Sequence, residues 1–208
     1  MALVIVGTRA GRVGISCAAR WQGGVGARDA ADVAVLHAEL YEDIATRMRA
    51  DSRPWIPIPA GSAASPYAVS DPRDDVAVFS VVELASCELA GEALLWAIDL
   101  HNRSAHLGVS LRRAFRGRGL GADVVAALCE YGFAGRALHR LQVDTLAGNT
   151  AMIRTAERAG FVPEGRLSQA AWVNGEFADE VILGMLAADW VGSGSRKPGE
   201  DEIPDRSS

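Results

Sequence analysis

Lysine is almost absent from this chain: Lys197 is the one lysine among 21 basic residues, and arginine supplies the rest of the positive charge. Nor is positive charge in excess, since 26 acidic residues bring the formal net charge to -5 and the pI to about 5.4. A chain so balanced has no broad basic surface, which argues against nucleic acid as a partner. Cysteine is scarce as well. Cys17, Cys87 and Cys129 are odd in number and share no C-x-x-C spacing, so neither a disulfide framework nor a metal site is indicated, and a reducing cytoplasm is the expected location. Long apolar runs are missing too. The run over 2–7 is shorter than the apolar core of a signal peptide and follows no basic segment, and nothing approaches a membrane span, so no membrane partner is expected.

What remains is ample for one sizeable core: 208 residues, 49% apolar and 23% charged. Residues 1–24 are an extension of uncertain role, an apolar A-L-V-I-V-G followed by glycine-rich, loop-like sequence. Over 30–49, Val33, Leu36, Leu40, Ile44 and Met48 recur at three- and four-residue steps behind Asp29 or Asp32, which predicts one capped amphipathic helix carrying His37. The prolines of R-P-W-I-P-I-P, 53–59, exclude regular structure, and Trp55 there either walls a pocket or pins the loop to the core. Strand-like runs follow over 75–83, 90–99 and 104–111, most simply an antiparallel meander, with His101 and His106 flanking its last turn. A helix over 120–133, a strand over 139–146, a helix capped by Asn149 and stopped at Gly160, and closing strands over 161–165 and 178–186 about an Asn174-Gly175 turn complete one domain over 25–190. The polar tail over 191–208 is expected to be disordered.

The informative stretch is 108–121, G-V-S-L-R-R-A-F-R-G-R-G-L-G. A strand runs into four arginines, Arg112, Arg113, Arg116 and Arg118, then a glycine turn, then a helix from Leu120. Glycines let backbone amides face an anion, the helix aims its positive dipole end at the same point, and guanidinium groups match phosphate oxygens. A ligand with several phosphates is implied. Gly117, Gly119 and Ala122 satisfy the dinucleotide fingerprint G-x-G-x-x-[GA], but that fold needs several further strand-helix repeats, and only about one third of the chain follows Gly121. The strand-helix-strand unit places the helix N-terminus at the carboxyl edge of the sheet, where ligands bind.

Arg116, Gly119 and Gly121 also satisfy [QR]-x-x-G-x-[GA], and here the chain resembles the GNAT superfamily of acyl-coenzyme A N-acyltransferases. N-T-A-M-I-R-T-A-E-R-A-G-F over 149–161 and D-E-V-I-L-G-M-L over 179–186 are similar to the branch that includes the ribosomal-protein N-terminal acetyltransferases. The resemblance implies an α/β fold with a central mixed, mostly antiparallel sheet flanked by helices. It also implies acetyl-CoA as acyl donor, an amine acceptor that is either a small molecule or a protein or peptide N-terminus, and the option of a homodimer. By motif, Val109, Ser110 and Leu111 would hydrogen-bond the pantetheine arm and thioester with their backbone groups, and Arg116, Gly117, Arg118, Gly119, Leu120, Gly121 and Ala122 would bind the pyrophosphate. Asn149 would lie near the reactive end of the cofactor.

Amide-forming transfer requires that an amine lose a proton, that an oxyanion be stabilised and that a thiolate depart. An N–H of 109–111 is the natural oxyanion donor. Asp144 falls where one group of that branch carries a catalytic glutamate, and Glu92 is the second candidate base; an ordinary structural role is the better reading of each, and a water relay would replace both. Many superfamily members place a tyrosine general acid at the position held here by Ala156, and a tyrosine introduced there is expected to fit the helix. Its absence keeps a non-catalytic acyl-CoA-binding module as an alternative, and the fingerprint keeps a nicotinamide-dependent oxidoreductase as another.

Overall fold

The computed structural model describes residues 28–50, 53–83 and 86–190. The extension over 1–24 and the tail over 191–208 lie outside the described residues. Six strands form one sheet: β1 Val76–Glu83, β2 Glu88–Asp99, β3 Ser104–Leu111, β4 Arg140–Leu146, β5 Val162–Val173 and β6 Glu176–Leu186, in the spatial order β1-β2-β3-β4-β6-β5. Every neighbouring pair is antiparallel except β3 with β4, so the sheet is mixed and mostly antiparallel, as the resemblance implies. The closing hairpin is longer than the periodicity predicts. Asn174 and Gly175 both take left-handed backbone, φ 52° and 89°, which is the turn that matches strand twist and lets β5 and β6 zip up to it.

The helix predicted over 30–49 is two. Asp29 caps α1, Ala30–Leu36, by accepting from the Ala31 amide at 2.8 Å. The chain then widens into a π-helical turn, His37–Tyr41, and restarts as α2, Ile44–Ala50. Asp43 drives the restart: its carboxylate accepts from the Thr46 amide at 3.1 Å and the Thr46 hydroxyl at 2.5 Å, a local cap that competes with helix continuation. Further on, α3 spans Leu120–Glu130 and α4 spans Thr150–Ala159, the latter capped by Asn149 and stopped at Gly160, φ 102°.

Two apolar clusters hold these layers together. The larger joins Leu120, Val124 and Leu128 of α3 to Leu95, Leu107 and Leu141 of the sheet, each buried side chain contributing roughly 1.5–3 kcal/mol. The smaller gathers Leu36, Leu40, Tyr41, Tyr67 and Leu89 beneath α1. His37 belongs to this second packing, its Nδ1 3.0 Å from the Ser65 hydroxyl and its ring against Tyr41. Trp55 pins its loop, donating from Nε1 to the Tyr41 carbonyl at 3.1 Å. Cys129 is free and buried, and burial pushes its thiol up to about 12. Cys87 is disulfide-bonded, where cysteine count and spacing led us to expect no disulfide.

At Gly91, β2 approaches β3 so closely that a methyl group there would lie 2.2 Å from the Ser110 carbonyl oxygen. Gly91→Ala is therefore expected to lower stability by roughly 1–3 kcal/mol through overpacking. Gly61→Ala, with nothing within 4 Å, should stay within about 0.5 kcal/mol of the parent. Urea midpoints compare the two, and equal midpoints would contradict the close approach.

Candidate active site at the parting of two strands

β3 and β4 are hydrogen-bonded neighbours only at Ser104 with Arg140, Ala105 with Leu141 and His106 with Gln142. Beyond those pairs β3 follows β2 as far as Leu111, and β4 follows β6 as far as Leu146. Each strand keeps one partner and loses the other, so two half-sheets part after His106. Val109, Ser110 and Leu111 lie past the parting point, opposite Ala93, Glu92 and Gly91 of β2, with no strand on their β4 side among the described residues. A strand edge left in this way presents N–H and C=O groups to whatever enters.

The same strand leads into the glycine turn. After the short turn Arg113–Phe115, Gly117 and Gly119 adopt left-handed backbone, φ 73° and 87°, and a Cβ on either would meet nothing within 4 Å. Gly119 is the N-cap of α3 and brings no side chain to its amides, so the leading N–H groups and the positive dipole end face this open space. Leu120 is buried and anchors the helix. Gly121 lets α4 approach, its Cβ position 3.7 Å from Thr155, and the Ala122 amide is used within the turn, bonding the Gly119 carbonyl at 3.1 Å.

The four arginines are not equivalent. Arg118 stands 2.6 Å from the buried carboxylate of Glu83 and over the Phe115 ring. Arg112 is paired with Glu39, whose carboxyl its hydrogen bond holds below the usual range. Arg116 is exposed, donates from Nε to the Leu111 carbonyl at 2.8 Å and reaches the Thr46 hydroxyl at 3.3 Å. Arg113 is exposed beside Asp43. The charge offered to an incoming anion is thus narrower than four arginines within seven residues suggest.

Opposite the α3–α4 layer, the parting point carries a polar cluster. Alternation along β4 sends Leu141, Val143 and Thr145 into the core and turns Gln142 and Asp144 the other way. Asp144 Oδ2 accepts from Nδ1 of His106, and Oδ1 accepts from Gln142 Nε2 at 2.8 Å. Arg140 donates to Gln142 Oε1 at 3.0 Å and pairs with Glu164. Trp96, the cross-strand neighbour of His106, lies on its ring at 4.3 Å between centroids. Burial pushes the Asp144 carboxyl up, but the hydrogen bonds from His106 and Gln142 and the charges of His106 and Arg140 outweigh it and hold Asp144 below its ordinary range.

The other expected site residues fall out differently. Glu92 sits opposite Ser110 but is buried against Arg28, 2.5 Å from its guanidinium. Asn149 uses Oδ1 to cap Met152 at 3.3 Å and Nδ2 to bond Thr145 at 2.9 Å. Ala156 is wholly buried in the larger core, so the expectation that a tyrosine would fit there is overturned: its ring would have to displace packed side chains. His106 was legible only as a histidine near a turn, since its link to Asp144 spans 38 residues and depends on the parallel register.

A family model for the acetyltransferase (GNAT) domain matches residues 26–162. The chain belongs to the GNAT acetyltransferase family. This GNAT domain is 31% identical to the Bacillus subtilis (strain 168) protein YdaF, named for ribosomal N-acetyl transfer, over 50% of this chain and 57% of that protein. It is 30% identical to YjcK of the same strain, named as an N-acetyltransferase, over 56% of this chain and 65% of that one. The match thus spans about three fifths of the length of these curated relatives. Among solved structures, spermidine N-acetyltransferase from Vibrio cholerae in complex with CoA and spermine superposes with a TM-score of 0.54 at 24% identity, covering 56% of this chain and 68% of that one, which establishes the shared fold. No helix of the described residues is long and apolar enough to cross a membrane.

A carboxyl held low in the folded state stabilises the protein above its unfolded pKa, about 4, and that contribution is lost as pH falls through the lower native value. Asp144→Asn is therefore expected to be less stable than the parent at pH 7, with the gap closing once the pH is well below about 4. Guanidinium midpoints at the two pH values measure it; a gap of constant size would contradict the assignment.

Proposed function

We propose that this GNAT domain transfers an acetyl group from acetyl-CoA to a primary amine by direct attack, without a covalent enzyme intermediate. The observation that carries the reading is the continuity of one segment. The edge of 109–111, freed where β3 leaves β4, runs through the Arg113–Phe115 turn into the Gly117–Gly119 cradle at the head of α3. A long ligand with a polar amide arm and a pyrophosphate matches that order. The backbone of Val109, Ser110 and Leu111 would hold the arm, and Gly117, Gly119, Leu120, Gly121 and Ala122 with Arg116 would hold the phosphates. The cradle fits because both left-handed glycines open onto free space. When bound, acetyl-CoA supplies the activated acyl carbonyl.

Arg118 joins the phosphates only by sharing its charge with Glu83, so Arg116 carries more of that role. An N–H of 109–111 supports the oxyanion. Proton removal is assigned to the Asp144 end of the site, because Glu92 is spent on Arg28. Asn149 orders the start of α4 beside the cleft rather than offering a free amide. The acceptor is a primary amine of a small molecule or of a protein or peptide N-terminus. The acyltransferase unit is assigned to 25–190, with cytoplasmic action and a homodimer as part of the same reading.

Calorimetric titrations with acetyl-CoA, CoA and NADH test the ligand class. Binding of both CoA species without NADH is expected, and NADH alone would convert the turn into a dinucleotide site. Arg116→Glu should weaken CoA binding roughly tenfold or more, the effect of losing one charge-assisted hydrogen bond. Unchanged affinity would remove the cradle. Binding without acetyl transfer to any amine would favour the non-catalytic module.

A further inference from the structure

The proton-transfer chemistry has a better placed group than either carboxylate. His106 is the last residue of β3 paired with β4, and Asp144 lies one strand repeat past the last paired residue of β4, so their contact bridges the point where the half-sheets part. Asp144 has both oxygens engaged, one by His106 and one by Gln142, and is held low, which makes it a poor proton acceptor near neutrality. An ionised carboxylate only accepts hydrogen bonds, so the Nδ1 it faces must carry the proton. The neutral ring then has its lone pair on Nε2, an atom with no protein partner among the described residues, on a side chain that retains 30% of its accessibility. Trp96 on one ring face and Asp144 at Nδ1 fix the plane. The charged groups around it are Asp144 in contact and Arg140 beyond, itself paired with Glu164, while β2 contributes the uncharged Trp96.

We infer that His106 Nε2 is the catalytic base and acid of the transfer, with Asp144 as the residue that positions it; this rests on the acetyltransferase reading above. The amine nitrogen, unprotonated when it attacks, forms the C–N bond to the thioester carbonyl carbon, and the C–S bond breaks with its electron pair leaving on sulfur. Nε2 takes the proton displaced from the nitrogen and returns it to the thiolate, so the products are an amide and a thiol and the ring ends neutral. One imidazole at the parting point serves both steps. It also accounts for a site in which Ala156 turns into the core and brings no acid.

The test uses the full chain, acetyl-CoA, and as acceptors spermine and a short peptide with an unblocked N-terminus. His106→Gln should lower kcat about a hundredfold or more and flatten the acid limb of the rate profile, the usual contribution of a general base, while acetyl-CoA affinity by calorimetry stays within about threefold of the parent, which also shows that the variant folds. His101→Gln, in an exposed turn, should match the parent. Because the chain has four histidines, ¹⁵N imidazole spectra with His106→Gln as the assignment control report the tautomer without any acceptor. The expected form carries its proton on Nδ1, and Asp144→Asn should release that preference and lower kcat without a matching rise in KM. A kcat for His106→Gln within threefold of a turning-over parent, or a proton found on Nε2 of the neutral ring, overturns the role of His106 and leaves the acetyltransferase reading standing. A parent that binds no acetyl-CoA, or acetylates neither acceptor, overturns that reading and this inference with it.

Discussion

Everything distinctive in this molecule follows from three hydrogen-bonded residue pairs between β3 and β4 and the absence of a fourth. A parallel pair needs a crossover, and α3 supplies it, so the helix must begin just beyond the end of β3 and lie over the same sheet. Had the two strands stayed paired to their ends, the edge of 109–111 would be consumed by the ladder and Asp144 would have no reason to reach back to His106. Parting leaves the 109–111 edge without a strand on its β4 side among the described residues, with the Leu111 carbonyl taken by Arg116 and the rest of the edge open to a ligand or water. It does so beside a helix start whose N-cap glycine brings no side chain to the first amides. The energetic cost of the gap is met elsewhere, by Leu120, Val124 and Leu128 locking α3 onto Leu95, Leu107 and Leu141.

Charge is distributed with a similar economy. A chain with net charge -5 concentrates arginines after β3, yet two of the four are bound to carboxylates, Arg112 to Glu39 and Arg118 to Glu83. Those ties brace the turn to α1's π-helical extension and to β1. Exposed ion pairs are worth little, but a guanidinium on a buried carboxylate costs more to separate, so Arg118 and Glu83 act as structure first. Glu92 with Arg28 follows the same logic.

Much of this was legible in the residues. The meander, the Asn149 cap, the Gly160 stop and the Asn174-Gly175 hairpin each rest on a local preference that nothing distant opposes: a side chain that caps its own helix, or a backbone angle that glycine or asparagine takes at low cost. The glycine turn was legible for the same reason. The helix over 30–49 was misread because the apolar spacing continues through Asp43, while the Asp43–Thr46 cap, also local, breaks it. The length of β5 was missed because its residues are exposed from Val162 to Ala170, and a strand held mainly by its neighbour's backbone leaves no alternating pattern to read.

What the sequence determined by itself is the order of elements and the backbone conformation of the turn, since helix caps, hairpin turns and left-handed glycines depend on residues within four or five positions of one another. Only the tertiary structure decided which carboxylate stands at the parting strands and which is spent on an arginine, that Ala156 faces inward, and that His106 meets Asp144. Those outcomes depend on register and helix rotation between segments tens of residues apart, and a one-residue slip in register turns every side chain of a strand to the other face.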